Sequence, residues 1–473
     1  MSRSSRLLSN TVVFTVGKFL SKLLVFFMMR LYTASLTTAE YSTADLITNM
    51  ANLLIPLACL GIGEGIFRFA ADKSGNKEAF FTNGLVVLGF GLVGFLCLSP
   101  LLSLLPFFET TSWLIVLYVV ASNIHAVVSQ YLCAIGRTKL FAGQGLLNTA
   151  LTVLLNILFL PVLDLGVTGY VLSIILADAL TTVFLIVVAR LWRAFQPRTI
   201  SKKVMGSMLR FCLPLIPTTV FWWITGVSDR YLVSYICSEA ENGLYAAAYK
   251  VPTLLIYVVS VFDSAWKLSV SEDDADENIK ERNDFFSRVW RMYTTLGYLG
   301  GAVLMLTCRL FAGVLYADDF AAAWIYIPVL TLATVFTAFD TFLGSVYYAG
   351  KRTVGSMLTA LCGAGVNVLL NLWWIPRWGA MGASIATLVS YFAVFVIRLV
   401  TTARIIPFKQ EWPRWILNTA LSLLLAGAVT LAEGDHGAVL WGLAAVLFVL
   451  IVAVNIKAIK DLLTSGLRMV RRR

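Results

Sequence analysis

Charge is scarce in this chain. Of its 473 residues, 59% are hydrophobic and only 13% are charged, where a soluble globular domain carries about a quarter charged residues. Histidine is nearly missing: His125 and His436 are the only two, which excludes an H-E-x-x-H motif or a His/Cys metal centre. Seven cysteines (Cys59, Cys97, Cys133, Cys212, Cys237, Cys308 and Cys362) contain no C-x-x-C pair. Most fall in apolar segments, where a cysteine packs as a small apolar residue. A phosphate-cradling G-x-x-x-x-G-K-[ST] loop is missing too: the nearest stretch, GSVYYAGKRT at residues 344–353, has the wrong spacing and Arg352 after the lysine. No cofactor is expected, ATP hydrolysis is excluded, and no water-soluble segment is large enough to hold an active site.

What is present is a series of hydrophobic runs of about 20 residues, each able to cross a ~30 Å hydrocarbon core as a helix. The expected fold class is all-α, a polytopic membrane protein of about fourteen spans. They are placed at 10–32, 44–68, 80–104, 111–134, 140–161, 167–190, 208–232, 245–267, 290–315, 321–348, 354–375, 380–403, 413–431 and 438–458. Twelve is the fallback count. The first run carries Lys18 and Lys22 and lacks an A-x-A site, unlike a cleaved signal peptide. Most of the 37 basic residues fall in alternate connections and in the basic tail. By the positive-inside rule those are cytoplasmic, which puts both termini inside and requires an even number of spans. The net charge of +11 then reports topology and attraction to anionic membrane lipids, with no nucleic-acid partner implied.

The chain repeats itself. VLLNILFLP at 153–161 returns as VLLNLWWIP at 368–376, about 215 positions later. Upstream, GRTK at 136–139 faces GKRT at 350–353, and downstream a G-x-x-G follows each proline, at Gly166/Gly169 and Gly379/Gly382. Shared Leu/Val bias does not account for glycine, a basic residue, asparagine, proline and G-x-x-G recurring in one order. A weaker match links Tyr41-Ser-Thr-Ala44 to Tyr245-Ala-Ala-Ala248. A six-span repeat is even, so both copies face the same way, related by a pseudo-two-fold axis along the membrane normal. The expected organisation is an N-terminal lobe at 1–190, a cytoplasmic linker at 191–207 and a C-terminal lobe at 208–405. Two additional spans follow at 406–460, then a basic tail at 461–473.

A charge at mid-bilayer costs about 2.5–3.5 kcal/mol on insertion scales, so it tends to face a partner or a water-filled cavity. Lys18 and Lys22 stand one helical turn apart on span one, and Arg30 lies towards its outer end. Arg230 ends span seven and Lys250 begins span eight. These five basic residues lie on helices that open each half, where a shared cleft would suit a phosphate or diphosphate group. Asp178 and Asp340 lack a sequence neighbour to pair with, and Asp263 lies deep in span eight. These three aspartates are the candidates for ion coupling.

Three stretches resemble a family. DRYLVSYICSEAENGLYAAAYK at 229–250 is similar to the D-x(n)-G-x-Y-x-x-A-x-K pattern of polysaccharide flippases, and LGIGEGIFRF at 60–69 to their glycine-rich end of span two. IPRWGAMGASIAT at 375–387 resembles their I-P-x-x-G-x-x-G-A-x-x-A-T signature. These proteins belong to the multidrug/oligosaccharidyl-lipid/polysaccharide (MOP) exporter superfamily, and the resemblance covers roughly residues 5–405. It implies a two-lobed fold, alternating access in a bacterial plasma membrane, and an undecaprenyl-diphosphate-linked oligosaccharide moved from the inner to the outer leaflet. Membrane lipids, a polysaccharide polymerase and glycosyltransferases are the partners it implies. One departure is Lys267, in AWKLS, where the pattern leads one to expect proline. The rival readings are a lipid II flippase, a multidrug/cation antiporter, whose cleft should be acidic, and a membrane glycosyltransferase or ligase.

Overall fold

The computed structural model describes residue 24 and residues 26–72, 75–271, 279–349, 353–433 and 436–471. Among them the chain is helical throughout, with no strand. The solvent explains this: hydrocarbon offers no partner to an exposed N–H or C=O, so a span must satisfy its own backbone. Among the described residues nine helices are long and apolar enough to cross a membrane, or up to eleven if two bent pairs each count as one span. One of the nine, Val354–Thr402, is 49 residues long, more than twice what a bilayer needs at ~1.5 Å per residue. Gly379 breaks its helical geometry (φ 55°, ψ −141°), and Asn367 bonds across the break to Thr387 and Ser390, so two helices, matching the expected eleventh and twelfth spans, fold back on each other there. The first expected span lies mostly outside the described residues.

The chain forms two compact units, Met1–Val227 and Ser228–Arg473. The first contains α1 (Met29–Ser35), α2 (Thr38–Ala58), α3 (Ile62–Ala70), α4 (Lys77–Leu98), α5 (Ser112–Ala134), α6 (Thr138–Ile157), α7 (Gly166–Ala189) and α8 (Lys202–Cys212). The boundary falls inside α9 (Ile216–Ile236). A capping box opens α2: Thr37 Oγ1 accepts from the Glu40 N–H (3.2 Å), and the Glu40 carboxylate accepts from the Thr37 N–H (2.9 Å). A 55° bend separates α2 from α3, where Leu60 and Gly61 take positive φ. Ile62, Ile66, Phe81, Tyr131, Leu132 and Met208 belong to a buried apolar core of this unit.

The second unit contains α10 (Glu239–Ala248), α11 (Lys250–Ser271), α12 (Ile279–Leu306), α13 (Cys308–Leu315), α14 (Ile327–Ala349), α15 (Thr353–Thr402), α16 (Trp412–Thr430) and α17 (Gly437–Arg471). Trp290, Phe339, Phe342 and Phe395 form its aromatic centre, with ring centroids 5.3–6.4 Å apart around the indole. The helices beyond the repeat are fastened to α12 and to each other by polar contacts. Tyr298 Oη and Thr419 Oγ1 are 2.7 Å apart, Arg414 donates to Asn455 Oδ1 (2.7 Å), and Asn455 donates to Asn418 Oδ1 (2.7 Å). α11 runs without interruption past Lys267. A lysine there keeps the backbone donor that a proline would remove.

The sequence repeat has a geometric counterpart in each unit. Gly166 and Gly379 both take positive φ, 51° and 55°. A Cβ at Gly166 would meet Glu40 Oε1 at 3.4 Å, and one at Gly379 would meet Glu241 Oε1 at 2.3 Å. Glu241 begins a helix capped by Ser238, as Glu40 does with Thr37, and its carboxylate accepts from the Ala380 N–H at 2.7 Å. The repeated asparagines are fully buried. Asn156 donates to Tyr32 Oη (3.3 Å) and Thr152 O (2.8 Å), and Asn371 to Asn367 Oδ1 (2.8 Å). Gly379→Ala should destabilise the protein by about 1–3 kcal/mol, the usual cost of a strained backbone, because it also displaces the Glu241 carboxylate. Gly365→Ala, with open space around it, should be close to neutral. Thermal unfolding in detergent measures both.

Candidate functional site

In the first unit α5, α6 and α7 bring together a polar cluster in the middle of apolar helices. Ser122, His125 and Ser129 follow one another at three- and four-residue spacing along one face of α5. Asp178 lies at the midpoint of α7. Its Oδ1 stands 3.3 Å from His125 Nδ1 and accepts from Asn148 Nδ2 at 2.8 Å, while its Oδ2 accepts from the Ser122 hydroxyl. The far side of the imidazole is held as well: His125 Nε2 lies 2.8 Å from Gln144 Oε1, and Gln144 donates to Ser129 Oγ (3.0 Å). The aspartate that lacked a sequence neighbour thus meets its partner on another helix. That partner, His125, was not singled out from the sequence, although its position in mid-span was a visible signal.

The second unit builds a different cluster around Asp229. Its Oδ2 accepts from Tyr245 Oη (2.6 Å) and Thr387 Oγ1 (2.9 Å), and its Oδ1 accepts from the Arg230 N–H (2.9 Å). Asn367 extends the network, donating to Thr387 Oγ1 (3.4 Å) and Ser390 Oγ (3.2 Å). Asp229 and Tyr245 come from the stretch at 229–250 and Thr387 from the one at 375–387. The two motifs therefore bond to each other, a link that neither shows alone.

The basic candidates differ in setting. Lys18 and Lys22 lie outside the described residues. Arg30 is exposed on α1. Arg230 is buried, with its guanidinium 4.8 Å from the centroid of the Tyr249 ring, a separation at which the ring face attracts a cation. Lys250 is half-buried at the start of α11. Within the second unit Arg230 thus lies against Tyr249, the residue that precedes Lys250 in the chain.

Of the acidic candidates, Asp263 lies on α11 with its side chain outside the described residues. Asp340 on α14 is 1% exposed, and among the described residues neither carboxyl oxygen has a hydrogen-bond partner. Arg398 lies beside it but donates to the Asp340 main-chain carbonyl (2.7 Å) and to Thr359 Oγ1 (3.0 Å). The Asp178 side chain keeps 11% of its surface open.

Known structures share this architecture. An inward closed form of the lipid II flippase MurJ superposes on 94% of the chain and 98% of its own length, with a TM-score of 0.67 at 15% identity. An inward-facing multidrug resistance MATE family transporter of the MOP superfamily covers 82% of this chain and 95% of its own, with a TM-score of 0.65 at 14% identity. The chain is thus a multi-pass membrane protein with the fold of the MOP-superfamily transporters. Its sequence then places it more narrowly: residues 7–266, more than half the chain, match the model of the polysaccharide biosynthesis protein family, and the chain belongs to that family.

Among curated proteins, it is 23% identical over 274 residues to multidrug and toxin extrusion protein 1 of Rattus norvegicus, over 54% of this chain and 48% of that protein. The chain therefore spans about half the length of that relative. It is also 20% identical over 308 residues to the uncharacterized membrane protein MJ1375 of Methanocaldococcus jannaschii, over 58% of this chain and 70% of that one.

The Asp229 cluster makes a measurable claim. Tyr245→Phe and Thr387→Val should each lower unfolding stability by about 1 kcal/mol, the net value of one such hydrogen bond. In double-mutant cycles with Asp229→Asn their effects should fall short of additivity. Strict additivity would mean the three side chains do not act together.

Proposed function

We propose that this protein is a flippase that carries an undecaprenyl-diphosphate-linked oligosaccharide from the inner to the outer leaflet of a bacterial plasma membrane by alternating access. Both termini lie in the cytoplasm, and lobes of six spans at 1–190 and 208–405 do the work. The observation that carries this reading is membership of the polysaccharide biosynthesis protein family by a chain with Arg230 and Lys250 where spans seven and eight meet. A cationic setting favours a diphosphate, whereas a drug-cation exporter would want carboxylates at the same positions. Lys18, Lys22, Arg30, Arg230 and Lys250 bind the diphosphate. The sugars travel through hydrated space, and the polyprenyl tail stays in the bilayer. Polymerase and glycosyltransferases are the partners that consume and supply this substrate.

An ion gradient or the membrane potential drives the cycle. Among Asp178, Asp263 and Asp340, Asp178 is the preferred coupling group, because it already holds a titratable partner, His125, together with Ser122 and Asn148. The likeness to the lipid II flippase favours a second reading in which the cargo is a peptidoglycan precursor. The two readings differ in the sugar that accumulates.

Depleting the protein should cause a lipid-linked oligosaccharide to build up on the cytoplasmic leaflet, identified by mass spectrometry of extracted lipids. Build-up of lipid II instead would select the second reading, and no build-up of either would refute both. In complementation, Lys22→Ala and Lys250→Ala should each cut translocation by about tenfold, the loss of one charge-assisted contact at ~1.4 kcal/mol. If both left translocation intact, these lysines would not bind the diphosphate. Asp178→Asn should leave substrate binding unchanged and abolish dependence of transport on the ion gradient.

A further inference from the structure

A cavity of about 670 Å³ lies in the second unit beside the connection before α14, whose Tyr326 ring packs against Tyr245 of α10. Its walls come from α13, the connection before α14, Ala432 and Glu433 after α16, and the first turns of α17. Its volume falls within the ~300–1,000 Å³ of small-molecule sites. Arg309 stands in its wall with its guanidinium 4.0 Å from the centroid of Trp324 and 5.5 Å from that of Trp441. One guanidinium nitrogen donates to the Ala432 carbonyl. Glu433 lines the same cavity. Among the described residues it makes no ion pair with Arg309, although both line the same cavity. Gly313 and Gly437 leave the space open where larger side chains would fill it.

We propose that this cavity binds a neutral pyranose sugar of a glycan. Such a ring has an apolar C–H face and a rim of hydroxyls, each able to donate and accept. The two half-buried indoles offer flat apolar faces. Arg309 supplies fixed donors and Glu433 supplies acceptors. A ligand of single charge sign would meet one of these two as a repulsive neighbour; a polyhydroxylated neutral one bonds to both. With cytoplasmic termini and fourteen spans, the connections after spans nine and thirteen are extracytoplasmic, so the cavity opens on the outer face. There it would receive sugars of a delivered chain. That placement rests on the flippase reading; the binding chemistry does not.

The test uses the purified full-length protein in detergent micelles and saturation-transfer NMR. The probes are neutral oligosaccharides of glucose, galactose and N-acetylglucosamine that lack any lipid or phosphate. At least one should receive saturation at its ring C–H protons. Trp441→Ala and Arg309→Lys should weaken binding by about tenfold (~1.4 kcal/mol). Ala438→Trp, which fills the cavity from an exposed position without removing a contact, should abolish it and keep the unfolding temperature.

Binding by no neutral sugar, or binding unchanged in Ala438→Trp, would overturn the proposal. So would competition by vesicles of anionic phosphatidylglycerol and not by sugar, which would make the cavity a lipid site. Sugar binding that persists in a protein whose depletion leaves every lipid-linked sugar in place would sink the flippase reading and spare this one.

Discussion

A polar side chain carried into hydrocarbon must find its partner on another helix, and much of this molecule follows from that demand. Asp178 draws α5, α6 and α7 together through His125, Ser122 and Asn148. Asp229 ties α9 to α10 and to the second half of α15. Arg414, Asn418 and Asn455 join α16 to α17, and Tyr298 joins α12 to α16. Between apolar helices in lipid there is no hydrophobic drive to associate, so packing and such interhelical hydrogen bonds decide which helices meet. The same contacts hold the ionisable groups that a transporter needs.

The glycines and glutamates of the repeat add a second constraint. Each unit has a capped helix start whose glutamate faces a positive-φ glycine at the turn between two spans. A side chain at Gly379 would collide with the carboxylate that accepts from Ala380. The G-x-x-G signature is therefore a backbone requirement, and its presence in both halves reflects the same local geometry written twice.

Much of the fold was legible because spans announce themselves by length and hydropathy. The expected spans at 80–104, 111–134, 140–161 and 167–190 each have a matching helix. The bends at Leu60–Gly61 and near Thr307 were not legible, since each lies inside an apolar run that reads as one span. Gly379 was legible: the two expected spans 354–375 and 380–403 are two helices that turn back on each other at this glycine. The candidate sites were readable only as isolated residues. Asp178 and Asp340 looked alike in the sequence, each an acid in an apolar helix, yet one is enclosed by donors and the other, among the described residues, has no hydrogen bond to its carboxyl oxygens. Which residues meet across helices depends on packing that periodicity does not encode, so His125 and Thr387 emerged only with the structure.

The account's central claim is that this chain moves a diphosphate-linked sugar lipid between leaflets. Its most direct measurement is reconstitution of the purified protein in liposomes carrying a fluorescent polyprenyl-diphosphate oligosaccharide, with a membrane-impermeant quencher added outside. The account predicts that, under an imposed ion gradient, nearly all of the fluorescence becomes quenchable. In protein-free vesicles only the outer-leaflet half should be reached. Equal quenching in both preparations, with the gradient verified, would contradict it.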